Sequence, residues 1–281
     1  MRVLVLGASG FVGNQVCESL SEVGYEVFRG TRQPSGKPND FTYPTSIHDP
    51  SFVEKTKKAF IDYRFSWIVH AANHFRKGVD VSDSAQMLEA NLFFPAAIFQ
   101  AAVNASATGF INIASGWQTS TNMKSVAPNY VAAKESFRHF LRSNSDRLTT
   151  KTIFVNEVFG PGDNRAKLIN LAIDGLKDGR EIDLQTPEAS LSLVYAPRLG
   201  REIGAVMNEP NCYPAEYLFE NYSGLTVREI FVIIQNIIAG NNTVVRSSGT
   251  TSHLGKEERP VRGKFPYAEL LKDLRETAGL N

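Results

Sequence analysis

Val3-Leu4-Val5-Leu6-Gly7-Ala8-Ser9-Gly10-Phe11-Val12-Gly13 decides how this chain folds. Four apolar residues in a row, with no polar alternation, read as a strand buried on both faces. Three glycines follow at GxxGxxG spacing. Val12, Val16 and Leu20 then repeat at i, i+4 and i+8 along one helix face. In a strand–turn–helix of this kind Gly7 permits the tight turn, Gly10 lets the backbone approach a pyrophosphate, and Gly13 allows close helix–strand packing. The free N–H groups and positive dipole end of the helix then face the phosphates. Alone, such glycines mark an ordinary βα turn. In this setting they predict a dinucleotide site built from Gly7, Ser9, Gly10, Phe11, Val12 and Gly13.

Working outward, apolar runs at 25–28, 67–71, 110–113 and 152–155 alternate with helical segments. Asp49-Pro50 reads as an N-cap followed by the first helical position. A long helix is expected over about 83–105, with Met87, Leu88, Leu92, Ala97, Ile98 and Ala101 facing inward, and another over about 129–143. The βαβα order predicts an α/β fold with a doubly wound parallel sheet. After Gly160-Pro161-Gly162 the character changes. Helices are expected at 168–176, 226–239 and 266–279, a strand at 192–195, and a polar loop at 246–264. This divides the chain into a dinucleotide-binding domain over 1–160, to which 191–207 returns, and a smaller C-terminal α/β substrate domain over 161–281.

The composition excludes several classes. The 281 residues are 42% hydrophobic and 21% charged, which rules out a largely disordered chain. Lys plus Arg is 30 against 29 Asp plus Glu, too balanced for a nucleic-acid binder. Cys17 and Cys212 cannot build a disulfide framework or a cysteine zinc site, and the histidines show no metal-ligand spacing, so no metal is expected. No apolar run approaches the ~20 residues of a membrane span, and the N-terminus has no signal-peptide core. The expectation is a cytoplasmic protein without a membrane segment.

The second strand ends Phe28-Arg29-Gly30-Thr31-Arg32. NAD binders place an acid here for the ribose hydroxyls. None is present, so NADP(H) is expected over NAD(H). Thr31 and Arg32, with Arg29, stand where the 2′-phosphate would lie; otherwise Arg32 is a solvated surface charge.

Tyr130-Val131-Ala132-Ala133-Lys134 is YxxxK, which puts Tyr130 and Lys134 on one helix face. A tyrosine near pKa ~10 is a poor acid–base group at neutral pH. A neighbouring ammonium, joined by a positive nicotinamide ring, favours the phenolate. The lysine can also hold the nicotinamide ribose. Ser115 follows the 110–113 strand, at the sheet end where sites of this fold lie, and can donate to a carbonyl oxygen beside the tyrosine. Gly116 and Ser120 compete for that assignment.

On these residues the chain resembles the extended short-chain dehydrogenase/reductase family of nucleotide-sugar epimerases, dehydratases and reductases, over nearly its whole length. The carriers are Gly7-Ala8-Ser9-Gly10-Phe11-Val12-Gly13, Ile68-Val69-His70-Ala71-Ala72, Asn91 in the long helix, Tyr130 with Lys134, and Val158-Phe159-Gly160-Pro161-Gly162-Asp163. The resemblance implies a Rossmann-type sheet, Tyr130 as acid, Lys134 on the ribose and Ser115 on the carbonyl. It also implies Ala71, Ala72 and Asn91 around the cofactor, and a homodimer formed through the helices that hold 88–101 and 137–141. The stretches 110–118 and 160–168 are similar to 4-ketoreductases of the CDP-abequose synthase type. In that comparison Arg165 and Lys167 suit substrate phosphates, unless they are solvated surface cations. Glu157 stands where most of the family has Asn, and either contacts substrate or caps a turn. His70 supports the cofactor loop. Asn73 and His74 follow at the mouth of the cleft and line the site or shape the loop. Trp117 stacks on a sugar or base, or wedges two domains. Arg198 and Arg262 bind phosphate or form surface salt bridges.

The departures narrow the chemistry. Gly116-Trp117 replaces the acidic pair of sugar dehydratases, and neither cysteine suits a 3,5-epimerising reductase. Ala196-Pro197 replaces the family's acidic pair after the late strand. The expected function is NADPH-dependent reduction of a keto group on a nucleotide-linked (deoxy)sugar. The alternatives are an epimerase that retains NAD, or a non-catalytic NADPH-binding regulatory subunit.

Overall fold

The computed structural model describes residues 1–75, 80–119, 127–238, 245–247, 250–251 and 267–280. Ser120, Arg262 and most of the expected 246–264 loop lie outside the described residues. In chain order the elements are β1 (Arg2–Leu6), α1 (Phe11–Glu22), β2 (Glu26–Thr31), β3 (Asp40–Thr42), α2 (Phe52–Tyr63), β4 (Trp67–His70), α3 (Val81–Leu88), a π turn (Glu89–Phe93), α4 (Phe94–Asn104) and β5 (Gly109–Ser115). There follow a 3-10 turn (Gly116–Gln118), α5 (Pro128–Ser143), β6 (Thr149–Val155), β7 (Glu157–Phe159), α6 (Leu168–Lys177), β8 (Ile182–Leu184), β9 (Ser190–Tyr195) and α7 (Ala196–Asn208). The remainder holds β10 (Glu216–Leu218), β11 (Tyr222–Thr226), α8 (Val227–Ile238), β12 (Val245–Ser247), β13 (Thr250–Thr251) and α9 (Tyr267–Thr277).

One unit comprises Met1–Val155 and Pro197–Phe219. Its sheet runs β10-β6-β5-β4-β1-β2-β3, and every pairing is parallel. Val3, Leu4, Val5 and Leu6 are wholly buried, as a central strand covered on both faces requires. The strand order turns back at β1 and β4, and sites of such sheets lie beyond the carboxyl ends at that point. Trp67 of β4 packs over Gly109 of β5 so closely that a Cβ there would lie 2.2 Å from the indole. No helix among the described residues is long and apolar enough to cross a membrane.

The other unit comprises Asn156–Ala196 and Glu220–Asn281. It holds the sheet β11-β9-β7 and a small ladder of β13, β12 and β8. Its core gathers Phe159, Ile173, Leu193, Tyr222, Phe231, Ile234 and Leu270. A buried hydrogen bond from Tyr222 to Asp273 joins β11 to α9.

Four expectations are corrected. The second helix begins at Phe52 with Ser51 as N-cap, because Asp49 accepts from the Ser51 N–H and hydroxyl and so caps the preceding turn instead. The expected 83–105 helix is interrupted by the π turn, which changes the phase of the apolar stripe and leaves Leu88 exposed. The returning segment is Pro197–Phe219 rather than 191–207, because β9 finds its ladder partners in β7 and β11. Part of the expected late loop, Val245–Ser247 and Thr250–Thr251, forms strands.

Candidate active site

The C-terminal end of β5 delivers Ser115, and the 3-10 turn that follows fixes it. The Ser115 hydroxyl accepts from the Trp117 N–H at 3.2 Å, and the Gln118 carboxamide oxygen accepts from the Ser115 N–H at 3.0 Å. The other end of the Gln118 side chain donates to Glu135 on α5 at 2.7 Å. Gln118 is buried and thereby ties the serine turn to the helix that carries the next two groups.

α5 presents Tyr130 and Lys134 one turn apart. Tyr130 stands near the side chains of Ser115 and Asn73. Its ring meets Phe75 edge-on with centroids 5.1 Å apart, and Trp117 at 6.2 Å. Burial pushes the Tyr130 phenol up, against the lowering effect of Ser115 and Asn73. The sequence reading expected the lysine to pull this group down; desolvation dominates instead. Lys134 is only 6% exposed. Its ammonium lies 5.9 Å from the Tyr130 ring centroid and donates to the Ile113 carbonyl at 3.5 Å. Burial lowers it to about 8.

The loop after β4 supplies the third wall. Asn91, in the π turn and 1% exposed, accepts from the His74 N–H at 3.1 Å and donates to the His74 carbonyl at 2.8 Å. Expected beside the cofactor, Asn91 is engaged in clamping this loop. That clamp lies next to Phe75, which packs against Tyr130. His70 is buried edge-on against Phe137 at 5.6 Å. Burial, helped by Lys134, lowers it to about 3, so it is neutral.

Around the glycine turn, Gly7 has φ +78°, and a Cβ on it would lie 2.5 Å from Ala72. Ala71 and Ala72 therefore pack against the turn, with the Ala71 N–H on the Leu6 carbonyl at 3.0 Å. A Cβ on Gly13 would lie 2.2 Å from the Gly7 carbonyl oxygen, so helix and turn can approach only with glycine there. At Gly10, by contrast, only that oxygen lies near, at 3.4 Å. No side chain caps α1 and its first turn holds no acid. The Gly10 N–H is donated to the Gly7 carbonyl at 3.0 Å, while the uncapped start of α1 suits a phosphate.

At the end of β2, the buried Thr31 hydroxyl has no partner among the described residues. Arg29 donates to the Ala8 carbonyl at 2.9 Å and to Asn14 at 2.6 Å, and Lys37 reaches the same Asn14 oxygen at 3.0 Å. Arg32 is exposed. Arg29 and Lys37 thus share one acceptor beside the glycine turn, with no carboxylate among those contacts. Lys37 was missed in the sequence because it lies in the loop beyond the strand, where no spacing marks it.

In the other unit Glu157, Arg165 and Lys167 lie together. Lys167 is 3.9 Å from Glu157, and burial raises the Glu157 carboxyl against the pull of both cations. Arg165 grips both Asp163 oxygens, at 2.7 and 2.8 Å, and the Val158 carbonyl at 2.7 Å.

The chain is similar to CDP-abequose synthase of Salmonella typhimurium, 22% identical over 263 residues, which cover 91% of this chain and 87% of that one. It is also similar to CDP-abequose synthase of Yersinia pseudotuberculosis, 25% identical over 257 residues and 86% of each chain. Its fold is similar to that of Thermotoga maritima UDP-glucose 4-epimerase with UDP-glucose, with TM-score 0.74, 20% identity, and coverage of 99% of this chain and 98% of that one. For the Thermus thermophilus UDP-glucose 4-epimerase complex with NAD the TM-score is 0.69, the identity 18% and the coverage again 99% and 98%. Residues 3–199 match the family model described as NAD dependent epimerase/dehydratase family. Since that match takes in the sheet from β1 through β6 and runs well past half of the sequence, the chain belongs to the NAD dependent epimerase/dehydratase family.

Proposed function

We propose that this chain is an NADPH-dependent reductase of a keto group on a nucleotide-linked (deoxy)sugar. The observation that carries this reading is the Tyr130 hydroxyl. Burial keeps it protonated at neutral pH, Ser115 stands near it, and a buried ammonium lies one turn along, 5.9 Å from the ring centroid. The Ser115 oxygen accepts from Trp117, which leaves its own proton to point at a carbonyl oxygen. Tyr130 gives its proton to that oxygen as charge develops there. Lys134, with one long bond to the Ile113 carbonyl, keeps donors for the nicotinamide ribose. Arg29, Arg32 and Lys37, with Thr31, hold the adenosine 2′-phosphate. When bound, the dihydronicotinamide supplies the hydride.

On this reading the first unit is the dinucleotide-binding one; of the residues expected to serve the substrate, His74 and Trp117 belong to it and Glu157, Arg165 and Lys167 to the second. The similarity to two CDP-abequose synthases supports the substrate class. We place the enzyme in the cytoplasm as a homodimer.

Fluorescence titration of NADPH against NADH tests the cofactor. NADPH is expected to bind at least about tenfold tighter, and Arg32→Ala to remove about that factor, the size of one charged hydrogen bond. Equal affinities, or NAD that cannot be stripped from the protein, would sink the reading in favour of an epimerase. Tyr130→Phe should lower turnover of 4-keto nucleotide sugars by roughly 10²-fold or more while leaving NADPH affinity within about twofold. Loss of both together would remove Tyr130 from the proton-donor role.

A further inference from the structure

Two hydrogen bonds close the Ser115 turn on itself. The Ser115 hydroxyl accepts from the Trp117 N–H at 3.2 Å, and the Ser115 N–H donates to the Gln118 carboxamide oxygen at 3.0 Å. While both hold, the hydroxyl oxygen stays on the turn and only its proton is free to point elsewhere. A carboxamide, however, can present either end. With its nitrogen toward Ser115, Gln118 would set donor against donor and the turn would open. Which end faces the serine is decided outside the turn.

The deciding group is Glu135 on α5. A carboxylate only accepts, and this one takes the Gln118 nitrogen at 2.7 Å, which leaves the carboxamide oxygen for Ser115. Glu135 is itself pinned, because Arg138 reaches both its oxygens at 3.3 Å. Arg138 in turn donates to Glu216 of β10 at 2.7 and 3.0 Å, and its guanidinium lies 4.9 Å from the Phe154 ring centroid on β6. Donor and acceptor therefore alternate from the outermost strand to the serine. The side chains of Glu135 and Arg138 are 23% and 19% exposed, so water competes weakly for these bonds. All of these residues belong to the first unit.

We propose that Glu135 is a positioning residue: its carboxylate turns the Gln118 carboxamide so that the oxygen faces the Ser115 N–H, and so aims the Ser115 hydroxyl. The inference rests on Ser115 being the hydroxyl that meets the substrate carbonyl in the reading above. Glu135 acts only through Gln118 and touches neither substrate nor cofactor.

Hydrogen exchange tests this without substrate. The chain has 2 tryptophans, Trp67 and Trp117. In full-length protein labelled with 15N-tryptophan, the Trp117 backbone amide reports the bond to the Ser115 hydroxyl, and Trp67 in β4 is the internal reference. Ser115→Ala identifies the Trp117 signal and sets its fast limit. Glu135→Ala is expected to speed Trp117 exchange by about tenfold, the size of one hydrogen bond, with Trp67 unmoved. Gln118→Glu should do the same, since it sets two carboxylates face to face. Combining it with Glu135→Gln should restore slow exchange: the bond between the two side chains then runs the opposite way, and an oxygen still faces the Ser115 N–H. Trp117 exchange at the wild-type rate in Glu135→Ala overturns the proposal. So does a combined variant that exchanges as fast as Gln118→Glu alone, a comparison that decides the matter should Glu135→Ala fail to fold. With 4-keto nucleotide sugars, Glu135→Ala should lower kcat by about tenfold at unchanged KM for NADPH, and add nothing to the loss in Ser115→Ala. A full further loss in Ser115→Ala would leave Glu135 a structural role and overturn the proposal. The two readings fail separately. Fast Trp117 exchange in the Glu135→Ala variant of a protein that reduces no keto sugar keeps the positioning and removes the substrate class. Wild-type exchange in an active reductase does the reverse.

Discussion

Lys134 is a charge kept where charge is costly. Its folded value of about 8 lies below the ordinary 10.5, so between those limits the unfolded chain binds the proton more tightly. The sign follows. Below about pH 8 both states are protonated and the folded state carries the whole penalty, roughly 3 kcal/mol from the difference between 10.5 and 8. The penalty is relieved as pH rises toward 10.5. Lys134→Met should therefore raise the unfolding temperature at pH 7, with the gain shrinking toward pH 10, while weakening cofactor binding. A variant melting below wild type at pH 7 would show that the ammonium is better solvated than its burial implies. Ser115, Tyr130 and Lys134 were legible in the sequence because a strand end and an i, i+4 spacing are local. Asn73 was left between lining the site and shaping the loop, and Gln118 was not singled out. What matters about them is which residue they meet, and Gln118 meets Glu135 seventeen positions on.

At the scale of elements, two irregular turns hold the site: the 3-10 turn after β5 and the π turn between α3 and α4. Each uses one buried carboxamide. Gln118→Ala strips an acceptor from the Ser115 N–H and a donor from Glu135. It should cost about 1–3 kcal/mol in urea unfolding and lower turnover more than it changes cofactor affinity. An unchanged midpoint would mean that Arg138, 3.3 Å from Glu135, holds the turn unaided. Asn91→Ala should cost a similar amount, because it frees both polar groups of His74. The sequence hid the π turn for a definable reason. One inserted residue leaves each half of the helix amphipathic in itself and changes only the phase between halves, so 83–105 read as one stripe. The exposure of Leu88, expected inside, is the visible trace of that phase change.

For the whole molecule, acid is the vulnerable side. His70 titrates at about 3 when folded against 6.5 ordinarily, so the unfolded chain takes up a proton first and stability falls as pH drops from 6.5 toward 3. Glu216, held to about 2 by Arg142 and Arg138 despite the opposing effect of burial, adds a loss as pH falls from 4.5 toward 2. His70→Leu should flatten the decline between pH 6.5 and 4.5 by roughly 2–3 kcal/mol, read as the urea midpoint against pH. A decline as steep as wild type would assign it to other groups. The parallel sheet was legible in the sequence because its inner strands are continuous apolar runs. The outermost strand was not: Glu216, Tyr217 and Leu218 are three partly exposed residues with no such signature.

That outer strand governs how this protein can be taken apart. β10 returns to lie beside β6, with Glu216 opposite Thr152 and gripped by Arg138 and Arg142 at 2.7 and 2.6 Å. Lys151 reaches back to the Tyr213 carbonyl, and Tyr25 to Gly204 and Asn208. The chain therefore passes from one unit to the other three times, at 155/156, 196/197 and 219/220. A single splice near 160 does not separate the halves. It yields a fragment whose β6 is a bare, sticky margin. Swapping the second unit for a relative's, in the laboratory or in evolution, requires two grafts on either side of a retained 197–219 segment.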